Sequence, residues 1–147
     1  IKNLQKKIPI NPKRIKTAVL KALSLPCTSL KYNKTIKEVR GEITFCFVND
    51  KKIKSLNQQF LHKDYSTDVL SFDFSTDKNE IFADVVISTD TALRNATIYK
   101  TSNLYEVYLY VIHGTLHLLG YDDKTKEQRK IMHKKATGIL KYVITKD

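Results

Sequence analysis

His113-Gly-Thr-Leu-His117-Leu-Leu-Gly120-Tyr-Asp-Asp123 closes a long apolar run, Leu104 to Leu119. In a helix, histidines four residues apart lie on one face, one turn apart, so both rings reach one ion. Gly120 then lets the backbone leave the helix, because glycine tolerates the left-handed conformation of a helix C-terminus. Beyond it the chain can fold back and offer a third ligand. Six residues past His117 that ligand is Asp123, with Asp122 as its competitor.

These ligand positions match the zinc-protease signature H-E-x-x-H-x-x-G-x-x-H. Two residues depart from it. Gly114 stands where the proteases carry a general-base glutamate, and Asp123 stands in place of the third histidine. Without the glutamate, nothing at that position takes a proton from water, so zincin-type peptide hydrolysis is disfavoured. The competing interpretation is a core helix with two satisfied histidines. Gly120 and Asp123 at the same spacing weigh towards the metal site.

H-G-x-L-H-L-x-G-Y-D-H is also the signature of the YbeY family, bacterial zinc-dependent endoribonucleases of ribosomal RNA maturation. This chain resembles it with H-G-T-L-H-L-L-G-Y-D-D. Two further segments are similar to the family: Thr67-Asp68-Val69-Leu70-Ser71-Phe72, after Leu56-Asn57, and Ala83-Asp84-Val85-Val86-Ile87-Ser88, where the family has Gly-Asp. The resemblance spans roughly residues 40 to 145.

The resemblance implies a single-strand-specific endoribonuclease in ribosomal RNA processing, acting in small-subunit rRNA 3′-end maturation and ribosome quality control. Its implied partners are ribosomal RNA and the small ribosomal subunit. It implies one Zn²⁺ per chain on His113, His117 and Asp123. Two histidines and a carboxylate, with a fourth position left open, are a known catalytic zinc arrangement. Zinc lowers the pKa of bound water towards about 7 and stabilises charge on a phosphoryl oxygen. The anionic Asp123 offsets part of the ion's charge and hardens the site, which brings Mn²⁺ or another divalent ion into contention. Where many family members place a phosphate-facing arginine, this chain has Leu61, which cannot donate a bidentate pair. His62 and Lys63 are the adjacent candidates for a substrate phosphate, against a plain reading as loop polarity. Thr67, Asp68 and Ser71 are either strand-entry hydrogen bonders or substrate contacts. Asp84 is a sheet-edge charge or part of a cleft floor, and His133 a surface or core-edge histidine. Leu61 and Asp123 also motivate an alternative, a non-catalytic ribosome-assembly or RNA-binding factor with a structural metal. A small metallohydrolase with another substrate is a third possibility, with Gly114 arguing against a peptidase.

A chain of 147 residues suits one domain, residues 1–147, and a hydrophobic content of 41% suits a packed core. The apolar run is broken by Glu106, His113 and His117, so it does not read as a membrane span. The first residues lack the apolar core of a signal peptide. Cys27 and Cys46 form no C-x-x-C and read as buried thiols of a cytoplasmic protein. The net charge of +11 is uneven: residues 1–40 hold 11 Lys/Arg against one acid, 41–110 hold 7 against 10, and 111–147 hold 8 against 4. Basic ends of this kind are either solvated lysines or a polyanion footprint.

In chain order, residues 2–8 predict a first strand. Asn11-Pro12 starts a helix with Ile15, Ala18, Val19, Ala22 and Leu23 on one stripe, ended near Pro26. Lys31, Lys34 and Lys37 mark a polar connection. Glu42–Val48 predicts a strand, and Asn49-Asp50 caps a helix with Ile53, Leu56 and Phe60 inward. Asp68–Phe74 predicts the next strand, joined to the last by a parallel right-handed crossover. Ile81–Ile87 follows as its antiparallel partner, then a helix from Asp90 to Tyr99. Asn103 is read as the cap of Leu104–Leu119. A last helix starts near Lys124 or Thr125, with Ile131, Met132, Ala136, Ile139, Leu140 and Val143 inward. The sum is an α/β (α+β) domain: a mixed, mostly parallel four-stranded sheet, about five helices, and a zincin-like metal helix.

Overall fold

The computed structural model describes residues 1–26, 40–77 and 79–145. Its elements are β1 (Lys2–Asn3), α1 (Pro12–Leu23), β2 (Arg40–Val48), α2 (Asp50–Leu61), β3 (Val69–Asp73), β4 (Glu80–Ser88), α3 (Thr89–Tyr99), α4 (Asn103–Leu118) and α5 (Lys126–Thr145). The strands form one sheet in the order β1-β2-β4-β3. β1 and β4 run parallel to β2, and β3 runs antiparallel to β4, so the sheet is mixed as predicted.

The expected parallel pairing of β2 with β3 is not what forms. The turn after Asp73 closes a hairpin, with Phe74 N–H donating to the Phe82 carbonyl at 2.7 Å. β4 therefore lies between β2 and β3, and the crossover from β2 ends in β4. Apolar residues on both faces of β2 and β4 suit these two to the interior of the sheet. They pair along their whole length, from Arg40 opposite Glu80 to Val48 opposite Ser88.

The sheet's two faces are unequal. Phe45, Phe47, Ile81, Ala83, Val85 and Ile87 face the main core, with α4 packed over the sheet and α1 and α5 packed against α4 and each other. Leu70 and Val86 point the other way, onto Ile53 of α2, with Cys46 and Phe72 beside them. α4 is the central helix. It touches β3, β4, α1, α3 and α5, and it is buried nearly all round, as its unbroken apolar composition requires.

Local signals place most boundaries. Asn11 caps α1 by accepting from the N–H groups of Lys13 and Arg14, with Pro12 in the first turn. β1 stops after two residues because the Gln5 side chain accepts from the N–H of Lys7 and Ile8, both at 2.8 Å. That turns the chain away from the ladder and buries Ile8 in the core. The caps of α3 and α4 are Ser88 and Ser102, one or two residues ahead of the expected starts. Each hydroxyl accepts the N–H three residues on. Phe60 is not inward: it is 55% exposed and leans edge-on against Phe72, 5.4 Å between centroids. Asn57 takes the inner position and donates to the Tyr65 carbonyl at 2.9 Å, which fixes the approach to β3. On α5, Ile131 is exposed, whereas Met132, Ala136, Ile139, Leu140 and Val143 are inward as expected. Cys46 is only half-buried, on the α2 side of the sheet, and burial raises its thiol pKa. Cys27 and the polar connection of Lys31, Lys34 and Lys37 lie outside the described residues.

Candidate metal centre

α4 ends in a left-handed turn built on Gly120, whose φ is 91°. Gly120 N–H donates to the His117 carbonyl at 2.9 Å, and Tyr121 N–H donates to the Leu116 carbonyl at 3.1 Å. This pair of bonds is the Schellman motif, and it reverses the chain over the helix end. Asp123 is thereby carried back to the two histidines.

The ligand atoms of His113, His117 and Asp123 all lie within 4.8 Å of one another. Nε2 of His113 is 3.4 Å and Nε2 of His117 is 3.7 Å from Oδ2 of Asp123. The two imidazole centroids are 4.8 Å apart. The three side chains keep 26%, 29% and 42% of their surface exposed, enough for a ligand to reach them.

The donor set suits a divalent cation. Nδ1 of His117 sits 3.1 Å from the Tyr121 carbonyl. A carbonyl only accepts, so Nδ1 carries the proton and Nε2 presents a lone pair towards Asp123. His113 is held below its ordinary pKa of 6.5, first by burial and then by the neighbouring His117, against the opposing pull of Asp68 and Asp123. Its imidazole is therefore kept neutral, as a metal ligand must be. Asp122 is engaged elsewhere. It accepts from Asp123 N–H at 2.8 Å and pairs with Lys124 at 3.0 Å, which lowers its carboxyl pKa.

Burial of His113 carries a pH consequence for the metal-free protein. Its folded-state pKa lies below its unfolded value, so the unfolded chain binds more protons as the pH falls through about 6.5. This contribution is complete above that value and is lost on acidification. Urea unfolding at about pH 7.5 and about pH 5.5 should show the decline, and His113→Gln should make it shallower. An equally steep decline in the variant would assign it to other groups.

The profile of the family described as Endoribonuclease YbeY matches residues 1–143. The chain belongs to the YbeY family. Among curated relatives, Endoribonuclease YbeY of Carboxydothermus hydrogenoformans is 36% identical over 143 residues, 95% of this chain and 93% of its own length. That of Parabacteroides distasonis is 40% identical over 100 residues, 68% of this chain and 70% of its own. The solution structure of TM1509 from Thermotoga maritima matches with a TM-score of 0.56 at 26% identity, over 96% of this chain and 86% of that one.

The YbeY-like segments occupy different places around the centre. Gly114, the residue that replaces a protease glutamate, lies against the sheet. A Cβ there would stand 2.5 Å from Cγ1 of Val85, 3.0 Å from Cγ2 of Val69 and 3.2 Å from Oγ of Ser71. Ser71 donates to the Gly114 carbonyl at 3.0 Å, tying β3 to the helix between the two histidines. Asp68 serves strand entry: its Oδ1 accepts from Val69 N–H at 2.8 Å and from the Thr67 hydroxyl at 3.1 Å. Asp84 lies on the α2 face of β4, sharing a pocket with Cys46, Leu56 and Phe72, so it is no part of a floor beneath α4. His62 is the left-handed C-cap of α2, exposed like Leu61 and Lys63, and Lys63 Nζ sits 6.0 Å from the Tyr65 ring. Among the described residues, neither His62 nor Lys63 is joined to the three candidate ligands by a hydrogen bond or ion pair. His133 is an exposed helix residue. Sequence reasoning missed the Tyr121 carbonyl and Arg129, which donates to the backbone of the Asp123 loop. The G-Y-D segment pointed to a turn, but nothing in its composition marked the carbonyl as an orienting group.

Proposed function

We propose that this chain is a metal-dependent endoribonuclease acting on single-stranded ribosomal RNA, in small-subunit rRNA 3′-end maturation and ribosome quality control. The observation that carries the proposal is the convergence of His113, His117 and Asp123 at the end of α4, in a chain of this family. These three residues would hold one Zn²⁺ or another divalent ion. Such an ion supplies Lewis acidity for charge developing on a phosphoryl oxygen.

The rest of the site's work falls to the chain's own groups. Tyr121 fixes the tautomer of His117, and burial keeps His113 unprotonated. Asp122 and Arg129 hold the backbone on either side of the Asp123 carboxylate. Gly114 lets β3 close against the helix and leaves no room for a protease-type base. His62 and Lys63, exposed at the end of α2, are proposed contacts for an RNA phosphate. No helix among the described residues is long and apolar enough to cross a membrane. Ribosomal RNA as substrate, with the small subunit as its setting, places the protein in the cytoplasm.

Removing the metal tests the proposal. Protein stripped with a chelator and dialysed should cleave a single-stranded ribosomal RNA fragment at least about 10²-fold more slowly than before. Adding back Zn²⁺ or Mn²⁺ should restore the rate. Undiminished cleavage by the stripped protein would overturn the metal mechanism. Salt-dependent RNA binding without turnover in any metal state would favour the assembly-factor reading.

A further inference from the structure

The loop that carries Asp123 is gripped from α5. Arg129, one turn into that helix, donates through Nη1 to the carbonyls of Asp123 at 3.0 Å and Lys124 at 2.9 Å. Both bonds use a single nitrogen. A guanidinium offers five N–H donors in a planar fork, so its Nη2–Nε edge keeps its full donor set. Among the described residues that edge has no hydrogen-bond or ion-pair partner. Arg94 makes the contrast: its Nη1 is bound to the Asp50 carboxylate and its Nη2 to the Thr91 hydroxyl.

Charge and placement point the same way. Arg129 is exposed and, among the described residues, makes no ion pair with a carboxylate, whereas the nearby Lys124 is paired with Asp122 at 3.0 Å. Lys126 and Lys130 add exposed positive charge to the start of α5, against the one acid Glu127. The carbonyl bonds fix the guanidinium to the same loop that presents Asp123. Much of the ordering cost of an arginine contact is therefore met before any ligand arrives.

We propose that Arg129 binds a phosphate of the RNA strand beside the metal ligands, through its Nη2–Nε edge, while Nη1 stays on the Asp123 carbonyl. This rests on the endoribonuclease reading and adds a substrate-binding residue to it. The planar fork matches two phosphate oxygens. Because the fork is tied to the Asp123 loop, the phosphate it takes sets the register of the strand over His113 and His117.

The test compares Arg129→Gln and Arg129→Lys with Lys141→Gln, which lies twelve residues further along α5, about 18 Å away. The probe is a 2′-O-methyl single-stranded oligoribonucleotide, bound by metal-loaded protein across a salt series. Zinc affinity is measured separately by competition with a chromogenic chelator. Arg129→Gln should weaken RNA binding about tenfold. It should also lower the slope of log K against log salt by about 0.7, the loss of one phosphate contact. Arg129→Lys should keep the slope but not the affinity, because an ammonium keeps the charge and loses the fork. Arg129 also holds the Asp123 loop, so zinc affinity should fall by up to roughly 10–100-fold in Arg129→Gln, and the RNA series is therefore run at saturating zinc. An unchanged slope in Arg129→Gln would overturn the proposal, since Arg129 would then be a loop clamp alone. An equal fall in Lys141→Gln would overturn it in favour of diffuse charge. Wild type that binds RNA but never cleaves it would sink the enzyme reading and leave the Arg129 contact standing. Wild type that binds no RNA would sink both.

Discussion

Replacing His117 by alanine should reduce RNA cleavage on the order of 10³-fold or more and remove the divalent-ion affinity with it. The ring is the hinge of the triad. Its Nδ1 is 3.1 Å from the Tyr121 carbonyl, and its Nε2 is 3.7 Å from the Asp123 carboxylate. Without it, His113 and Asp123 alone remain, too few to hold an ion in a catalytic geometry. The fold should survive. Alanine is the best helix former, and the bonds that close the helix end use the backbone of His117, which any residue supplies. Cleavage of a single-stranded ribosomal RNA fragment, zinc competition and thermal unfolding should therefore separate. The first two should collapse while the melting temperature moves by a few degrees at most, about the scale of 1 kcal/mol in a domain of this size. Equal cleavage by variant and wild type would point to a contaminating nuclease or to chemistry elsewhere on the chain. Lost cleavage with zinc affinity intact would strike His117 from the ligands.

That His113, His117 and Asp123 meet was legible in the sequence, because the constraint is local. Helical periodicity puts His113 under His117, and a glycine of φ 91° at position 120 is what a reversal at that point needs. Eleven consecutive residues thus carry the whole triad. The same locality made α1 readable, where Asn11, Pro12 and the apolar stripe all act within a few turns. Fold class followed as well, since the sequence of strands and helices already restricts a chain of this length to few layer arrangements.

What escaped the sequence was decided between segments distant along the chain. Whether β3 or β4 sits beside β2 depends on which partner buries more apolar surface. Both strands are apolar, and periodicity is silent on the choice. Phe60 follows the inner positions of α2 at helical spacing, yet the inner place goes to Asn57, because the approach to β3 needs a donor for the Tyr65 carbonyl. The Asn57 amide nitrogen makes that bond while its Oδ1 stays buried and unpartnered among the described residues, so the inner place goes to a residue that fixes the turn towards β3 at a desolvation cost. Arg129 escaped for a related reason. On an exposed helix turn crowded with lysines, one cation looks like any other until a carbonyl six residues back is found against its Nη1.

Gly114 gives the other large expected effect, one of stability and specificity together. Restoring the protease residue with Gly114→Glu should create no peptidase and should destabilise the protein by about 3 kcal/mol or more. A Cβ alone would meet Val85 Cγ1 at 2.5 Å, and Val85 is fully buried and β-branched, so it has little freedom to move. The glutamate adds an ionisable group with no cation beside it, driven between α4 and the sheet. Gly114→Ala isolates the steric part. Helix propensity alone favours alanine by about 1 kcal/mol, but overpacking costs about 1–3 kcal/mol, so the net should be a loss. Gly138 supplies the control on the same molecule: it is an exposed glycine in α5, and a Cβ there meets nothing within 4 Å. Gly138→Ala should raise the melting temperature, while Gly114→Ala should lower it and Gly114→Glu should lower it by roughly 6 °C or more. If Gly114→Ala were instead as stabilising as Gly138→Ala, the close approach of β3 and β4 to α4 would be wrong. Metal-dependent peptide turnover by Gly114→Glu would show that only a base, and not the shape of this site, separates it from a protease.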